Sequence, residues 1–446
     1  MNKKLIILIS AIISIAIFKL LPADKEVLKG LAILFFIGAL WITESLPITA
    51  TALLVPIIAV MTGIYEVKDA LGFFAHPIIF LFLGGFALAA ALHKYSMDEL
   101  FAGYIMRAAG SKMIYSVISL FVATALISMW ISNTATAAIM LPLALGLISK
   151  IKERNHAVEV FILLGIAYSA NIGGIGTIVG SPPNAITAAN LNLSFTDWLE
   201  FGIPTMLILL PVMIGVLYVM LRPKLPEIAH LQTIKPRQVF SDKKSYAVAG
   251  IFAFTVVLWL FSEPITDWLG IPQGFGSIIA VFAIVLLVLF RTMKWKEIEN
   301  FADWGVLLLF GGGLALSGIL SETGASAYLA TIVETHLVGY GPFLLVLGAV
   351  TLMIFLTEVA SNTASAAILV PIFLALGQEI GHDPPYELAI TVGVAASCAF
   401  MLPVATPPNA LVFGTERIKL REMMKAGFIL NIICAILITL IAYLIF

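Results

Sequence analysis

Long apolar runs separated by short polar breaks dominate the chain. They fall at about 5–21, 28–43, 47–65, 77–92, 159–179, 201–221, 246–261, 276–290, 305–320, 388–404 and 426–446. Each reaches or approaches the roughly 20 residues that a helix needs to cross about 30 Å of hydrocarbon. Two further apolar segments, 113–149 and 342–378, are interrupted near their middles by Ser132-Asn133-Thr134 and Ser361-Asn362-Thr363. Their second arms, 135–149 and 364–378, span roughly 22 Å at about 1.5 Å per residue, too short to cross comfortably. The pattern predicts an all-α polytopic membrane protein of about 11 transmembrane helices plus two re-entrant hairpins that return to the side they entered from.

Composition agrees. Of 446 residues, 61% are hydrophobic and 11% charged, with mean hydropathy +1.07, against roughly 45–50% and about 25% in soluble domains. This excludes an ordinary soluble enzyme and a disordered scaffold. The net charge of −1 gives no basic field for nucleic acid, so no nucleic-acid partner is expected. Cys398 and Cys434 form no CxxC, and the six histidines form no HExxH pattern, so no metalloenzyme or thiol redox site is indicated. Met1-Asn2-Lys3-Lys4 opens an apolar run without a small-x-small cleavage site near Phe18–Pro22, which reads as an uncleaved first span.

The distribution of charge orients the chain. With the N-terminus inside, 21 of the 25 Lys and Arg fall on the inner side, leaving Lys19, Lys25, Lys29 and Lys68 outside. The positive-inside rule then predicts a cytoplasmic N-terminus and an outer C-terminus, in a bacterial-type inner membrane. Lys112 and Lys150 flank the first hairpin, so it opens inward. The second lies in 297–416, which contains no Lys or Arg, so it opens outward.

The halves repeat. Ser132–Pro142 aligns with Ser361–Pro371 at eight of eleven positions, 229 residues apart. Ser181-Pro182-Pro183-Asn184 aligns with Thr406-Pro407-Pro408-Asn409, and Gly84-Gly85 with Gly312-Gly313. Matches in order at near-constant separation indicate a duplicated unit. Oppositely facing hairpins make it an inverted-topology repeat, the layout of alternating-access transporters. The expected organisation is scaffold helices at 1–95 and 246–320, transport parts at 96–222 and 321–446, and a cytoplasmic linker at 223–245. The transport parts carry an inner hairpin at 113–149, an outer one at 342–378, and broken helices near 180–184 and 405–409.

In lipid, broken helices persist only where protein or a water-filled cavity satisfies the freed backbone. Each Ser-Asn-Thr begins a second arm whose free N–H groups point toward the midplane. Each Pro-Pro-Asn ends one helix, freeing carbonyls, and starts another. Hydroxyls, amides and N–H groups suit an anion, and carbonyls suit a cation. A single Ser-Asn-Thr is also what an ordinary N-cap looks like; the duplicated pair beside Pro-Pro-Asn breaks favours the functional reading. Gly173, Gly174, Gly176 and Gly180 lack the lysine of a phosphate loop, and Gly84-Gly85 and Gly311–Gly313 read as helix-packing positions. Glu358, three residues before Ser361, either orients the hairpin tip or a nearby cation, or is held in a structural hydrogen bond. Glu44 is expected at a short turn facing the interface. Trp198, Trp268, Trp295 and Trp304 are expected as belt residues at span ends.

Paired Ser-Asn-Thr motifs, one per half and each followed by a Pro-Pro-Asn break, resemble the divalent anion/sodium symporter family, in particular its bacterial sodium-coupled dicarboxylate transporters. The resemblance covers nearly the whole chain. It implies a homodimer whose transport domain carries substrate and Na⁺ past a fixed scaffold like an elevator. It also implies a first Na⁺ site at Ser128, Ser132, Asn133 and the backbone of Gly180, and a second at Thr357, Ala360, Asn362 and the backbone of Ala405. Substrate carboxylates are then expected at Asn133, Thr134, Asn362 and Thr363, with Ser181, Pro182, Thr406 and Pro407 completing the pocket.

No Lys or Arg lies within either motif cluster, so a dianion must be held by helix N-termini, neutral side chains and co-bound cations. The expected function is Na⁺-driven import of C4-dicarboxylates such as succinate, fumarate or malate. The nearest alternatives are a sodium-independent exchanger, or a citrate or sulfate transporter, of the same fold. A channel would need a continuous pore, whereas both polar islands end on blind hairpins. A membrane enzyme would need a reactive constellation that is not visible.

Overall fold

The computed structural model describes residues 3–108, 112–149, 151, 155–225, 242–270, 274–337, 341–380 and 384–445. The linker expected at 223–245 falls largely on 226–241, outside the described residues. The first half runs α1 (Lys3–Leu20), α2 (Lys25–Thr43), α3 (Ile48–Met61), α4 (Val67–Gly72), α5 (Pro77–Lys94), α6 (Met97–Ala108), α7 (Met113–Ser128), α8 (Asn133–Ile148), α9 (His156–Gly173), α10 (Pro182–Leu191) and α11 (Phe195–Leu221). The second runs α12 (Lys243–Leu260), α13 (Ser262–Leu269), α14 (Phe275–Leu289), α15 (Trp295–Phe301), α16 (Trp304–Glu322), α17 (Ala325–Leu337), α18 (Pro342–Thr357), α19 (Asn362–Glu379), α20 (Glu387–Ala395), α21 (Pro407–Phe413) and α22 (Leu420–Ile445). Every described regular element is helical.

Among the described residues, seven helical segments are long and apolar enough to cross a membrane, and further apolar helices such as α3, α7, α8, α14 and α18 are shorter. The all-helical membrane architecture is therefore as the hydropathy pattern predicts. The continuous run at 388–404 is not one helix. It is helical only through Ala395, and the chain then passes unwound to Pro407. In the first half, α9 gives way at Gly173 to two short 3₁₀ turns before α10. Hydropathy alone cannot separate these stretches from helix, because the unwound residues are themselves mostly apolar.

Helices α3 to α11 correspond in order to α14 to α22, apart from the short α13, which stands between α12 and α14. The packing between halves exchanges partners: α5 packs on α14, and α16 packs on α3. At the first contact a Cβ on Gly84 would lie 2.5 Å from Ala280 Cβ; at the second, a Cβ on Gly312 would lie 2.6 Å from Ala52 Cβ. Gly84 and Gly312 are 228 positions apart, as are Ala52 and Ala280. Reciprocal contacts of this kind are what a two-fold relation requires. They also explain the glycines, since the helix backbones approach closer than a side chain allows.

Candidate functional site

Ser132 ends the turn between α7 and α8 and Asn133-Thr134 open α8, just as Ser361 ends the turn between α18 and α19 and Asn362-Thr363 open α19. Both tips open on one cavity of about 890 Å³. Asn133, Thr134, Asn362, Thr363, Ser181, Pro182, Thr406 and Pro407 all line it, as do Ser132, Gly180, Ala360 and Ala405. Two motif pairs 229 and 225 residues apart are thus brought together in space. Ser128 and Thr357 are fully buried behind their tips. The remaining wall comes from the α2–α3 turn, α5 and the α15–α16 junction, including Ile48, Phe82 and Asp303.

Each tip is built alike. Ser132 Oγ accepts the Ala135 N–H at 3.3 Å, and Ser361 Oγ accepts the Ala364 N–H at 3.5 Å. These serines are N-caps, which fixes where α8 and α19 begin and which N–H groups stay free of intrahelical partners. Each capping hydroxyl accepts one backbone N–H and keeps its own proton and a second lone pair.

Behind the first tip, oxygen atoms converge. Ser128 Oγ lies 2.8 Å from Asn133 Oδ1 and 2.7 Å from the carbonyl oxygen of Ala170. The inward amide atom of Asn133 is also 3.1 Å from that carbonyl and 3.3 Å from the carbonyl oxygen of Gly180. With Nδ2 turned inward, the Asn133 amide donates to all three of these oxygens, and the Ala170 carbonyl also accepts the Gly174 N–H. The second tip repeats the arrangement: Thr357 Oγ1 donates to Asn362 Oδ1 and lies 3.2 Å from the carbonyl oxygen of Ala396.

The Pro-Pro-Asn breaks hold the carbonyls in place. Asn184 Nδ2 donates to the carbonyls of Gly174 and Thr177, both at 2.8 Å. Asn409 Nδ2 donates to those of Ala399 at 3.0 Å and Leu402 at 3.1 Å. Each asparagine replaces the helical partners lost where α9 or α20 unwinds. Glycine is demanded here: a Cβ on Gly174 would lie 2.3 Å from Asn133 Oδ1, and one on Gly180 2.5 Å from the carbonyl oxygen of Gly174.

Glu358 resolves to a structural role with a functional address. Its carboxylate accepts the N–H groups of Phe400, Met401 and Leu402 at 2.7, 2.8 and 3.0 Å, and Asn431 Nδ2 at 2.7 Å. One buried carboxylate therefore pins the unwound segment beside the second cluster. Its repeat mate, Met129, is apolar, so the two halves differ here. Tyr168 adds a bond from its hydroxyl to the Phe400 carbonyl at 2.6 Å.

Several contributors escape sequence reasoning. Ala170 and Ala396 act through their carbonyls, which no side chain announces. Asn171 lies between the two breaks, where its Nδ2 donates to Thr406 Oγ1 at 3.1 Å. Two expectations change. Trp198 is buried rather than at a belt, and its Nε1 donates to the Ile175 carbonyl at 2.9 Å, which ties α11 to the first break. Glu44 does end α2 at a turn, in a left-handed conformation, but it lines the cavity. Trp268, Trp295 and Trp304 are exposed near helix ends as expected. Among the described residues the charged groups lining the cavity are Glu44 and Asp303, with no Lys, Arg or His.

A family model described as citrate transporter, CitMHS, matches residues 38–382 and 355–446. The chain belongs to that family. It is a transporter and not an enzyme. It is 47% identical to an uncharacterized transporter of Haemophilus influenzae over 450 residues, covering 98% of this chain and 96% of that one. A similar relative in Methanocaldococcus jannaschii, also an uncharacterized transporter, is 40% identical over 93% of each chain. The sodium-dependent dicarboxylate transporter SdcS of Staphylococcus aureus is 35% identical, over 93% of this chain and 85% of that one. Among solved structures, the Alcanivorax borkumensis YdaH transporter aligns with a TM-score of 0.53 at 14% identity, covering 83% of this chain and 86% of that one. That likeness concerns the fold alone.

Proposed function

We propose that this CitMHS transporter is a sodium-coupled symporter of C4-dicarboxylates such as succinate, fumarate and malate, working by elevator-type alternating access. The observation that carries the proposal is that the two repeat-related tips, at Asn133 and Asn362, present two helix N-termini to one cavity with no basic lining group. A dianion entering such a cavity meets N–H dipoles and hydroxyls but no fixed positive charge. Na⁺ at the clusters supplies it, so substrate and cation each raise the other's affinity. The likeness to SdcS supports the same substrate class and ion.

In this reading Ser128, Asn133 and the carbonyls of Ala170 and Gly180 hold one Na⁺. Thr357, Asn362 and the carbonyls near Ala360, Ala396 and Ala405 hold the other. Asn133, Thr134, Asn362 and Thr363 face the two carboxylates, and Ser181, Pro182, Thr406 and Pro407 close the floor. Residues 96–222 and 321–446 form the moving part, with the two hairpins re-entrant from opposite sides. Residues 1–95 and 246–320 form the scaffold of a homodimer in a bacterial inner membrane, with the N-terminus cytoplasmic and the C-terminus outside. Placed that way, the main cavity opens inward, because its wall at Glu44 and Asp303 stands on the basic side of the chain.

The test is uptake of labelled succinate into proteoliposomes under an inward Na⁺ gradient, under K⁺, and against internal succinate alone. Accumulation under Na⁺ only is expected. Uptake driven only by internal succinate would instead assign a sodium-independent exchanger, and preference for citrate or sulfate in competition would reassign the substrate.

A further inference from the structure

A second cavity, of about 400 Å³, lies where α10 and α11 meet α5, α13 and α14. Its wall on the scaffold side repeats that of the main cavity. Ile78 and Gly276 line the small cavity and Val306 and Ile48 the large one, each pair 228 positions apart. The N-cap of α5, His76, lines one, and the N-cap of α16, Asp303, lines the other. The two cavities are therefore repeat-related spaces, one open wide and one narrowed.

Beside the narrowed space the end of α10 and the turn into α11 are tethered at two points. Ser194 Oγ donates to Glu263 Oε1 at 2.6 Å, and Ser317 Oγ donates to Asn190 Oδ1 at 2.6 Å. The Asn190 amide is oriented by its Nδ2 donating to the Ile186 carbonyl at 2.8 Å. Both bonds join residues 96–222 to residues 246–320. We propose that Ser194–Glu263 and Asn190–Ser317 form a one-sided latch that holds the transporter with its large cavity wide and the opposite vestibule narrowed. The inference rests on the alternating-access reading above and adds the residues that bias it.

The bias follows from what the repeat lacks. The mate of Ser317 is Ala89, whose methyl group cannot replace the hydroxyl, and the mate of Asn190 is Thr415. Glu263 sits on α13, for which the first half has no counterpart: α2 and α3 are joined by residues 44–47 alone. When the moving part shifts and the vestibule opens, both bonds must break, and the repeat provides no equivalent pair on the other face. Aromatic contacts also cross this seam. Phe195 stacks on Trp259 with ring centroids 4.9 Å apart, and Trp130 meets Phe252 edge-on at 5.3 Å. Such contacts tolerate sliding, whereas a hydrogen bond is lost beyond a few tenths of an ångström.

The test places a reporter in the narrowed vestibule. Ser277 lines it and is 7% exposed, and both native cysteines are buried. The rate at which a membrane-impermeant maleimide labels Ser277→Cys is compared with that of Ser277→Cys carrying Glu263→Ala and Ser317→Ala. Glu263→Ala leaves the capping box between Ser194 and Asp197 intact. Loss of two hydrogen bonds, one to a charged but exposed group, is expected to raise the rate about 3–10-fold. A second arm uses Ser194→Cys with Glu263→Cys. Diamide takes two electrons and two protons from the thiols to form the cross-link, which is expected to stop uptake until a thiol reductant restores it. Unchanged labelling in a cooperatively melting variant, or full uptake with the cross-link complete, overturns the latch. Because labelling is read without transport, a wild-type protein lacking Na⁺-driven uptake would defeat the functional reading while leaving the labelling comparison to judge the latch.

Discussion

Asn171 and Thr406 meet across the repeat: Nδ2 of the first donates to Oγ1 of the second at 3.1 Å, in a fully enclosed setting. The reciprocal contact is Ser397 Oγ to Ser181 Oγ at 3.4 Å. Each break is thereby held by a residue of the opposite half, which makes one floor from two repeats. Position 171 carries the longer side chain and reaches Asn409 as well, at 3.5 Å.

Removing this bridge should loosen the second break without touching the hairpin tips. Asn171→Ala leaves Thr406 Oγ1 with the Asn409 N–H alone, at a cost of about 1 kcal/mol. Apparent affinity for Na⁺ and succinate should then fall roughly fivefold, by the same thermodynamic scale. Asn171→Ser, which copies the residue at 397, should lose less. Initial uptake rates across a Na⁺ titration check both variants.

Gly174 offers a sharper steric test. Gly174→Ala puts a methyl group into the position of the Asn133 amide, 2.3 Å from Oδ1. The amide must move, and the oxygen cluster with it. Na⁺-induced thermal stabilisation should be lost, while Gly146→Ala, with open space around it, should keep it. The overpacking cost is roughly 1–3 kcal/mol, so a folded but cation-blind protein is the expected product.

Much of this site was legible in the chain because it rests on repetition. Two copies of Ser-Asn-Thr and Pro-Pro-Asn at near-constant spacing are visible without coordinates, and their tips do share a cavity. Glycines 84 and 312 are readable as close helix contacts for the same reason. The carbonyls of Ala170 and Ala396 were not legible, since any residue supplies a carbonyl and only the unwinding of α9 and α20 aims it. Asn171 was hidden because its repeat mate is Ser397, so comparing the halves passes over it. Trp198 misled because a tryptophan near a span end looks alike whether it faces lipid or, as here, caps a carbonyl inside the protein.

Glu358→Gln separates anchoring from mere burial. The carboxylate accepts three backbone N–H groups and one amide N–H, and it has lone pairs for all of them. A glutamine keeps one acceptor oxygen and turns a donor toward at least one N–H, leaving buried donors unpaired at about 1–3 kcal/mol. The segment from Phe400 to Leu402 should loosen, raising its amide hydrogen exchange. The Na⁺ requirement should shift to higher concentration, with substrate selectivity among C4-diacids unchanged. A variant as protected from exchange as the wild type would show that the carboxylate does not anchor this segment.

Asn133 and Asn362 decide whether cation and substrate share one binding event. Each places its amide beside a hydroxyl behind the tip, that of Ser128 or Thr357, and lines the cavity in front of it. If the dianion is neutralised by cations at those clusters, linkage requires that a change in Na⁺ affinity appear equally in substrate affinity. Asn133→Ala and Asn362→Ala should each weaken both, by roughly tenfold or more, because each removes a ligand where no fixed positive charge can compensate. The effects of the two substitutions should exceed additivity, since both cations neutralise one substrate. Calorimetric titration of succinate at several fixed Na⁺ concentrations measures the linkage. A variant with weakened succinate binding but an unaltered Na⁺ dependence would break the coupling, and would leave the asparagine as a substrate contact alone.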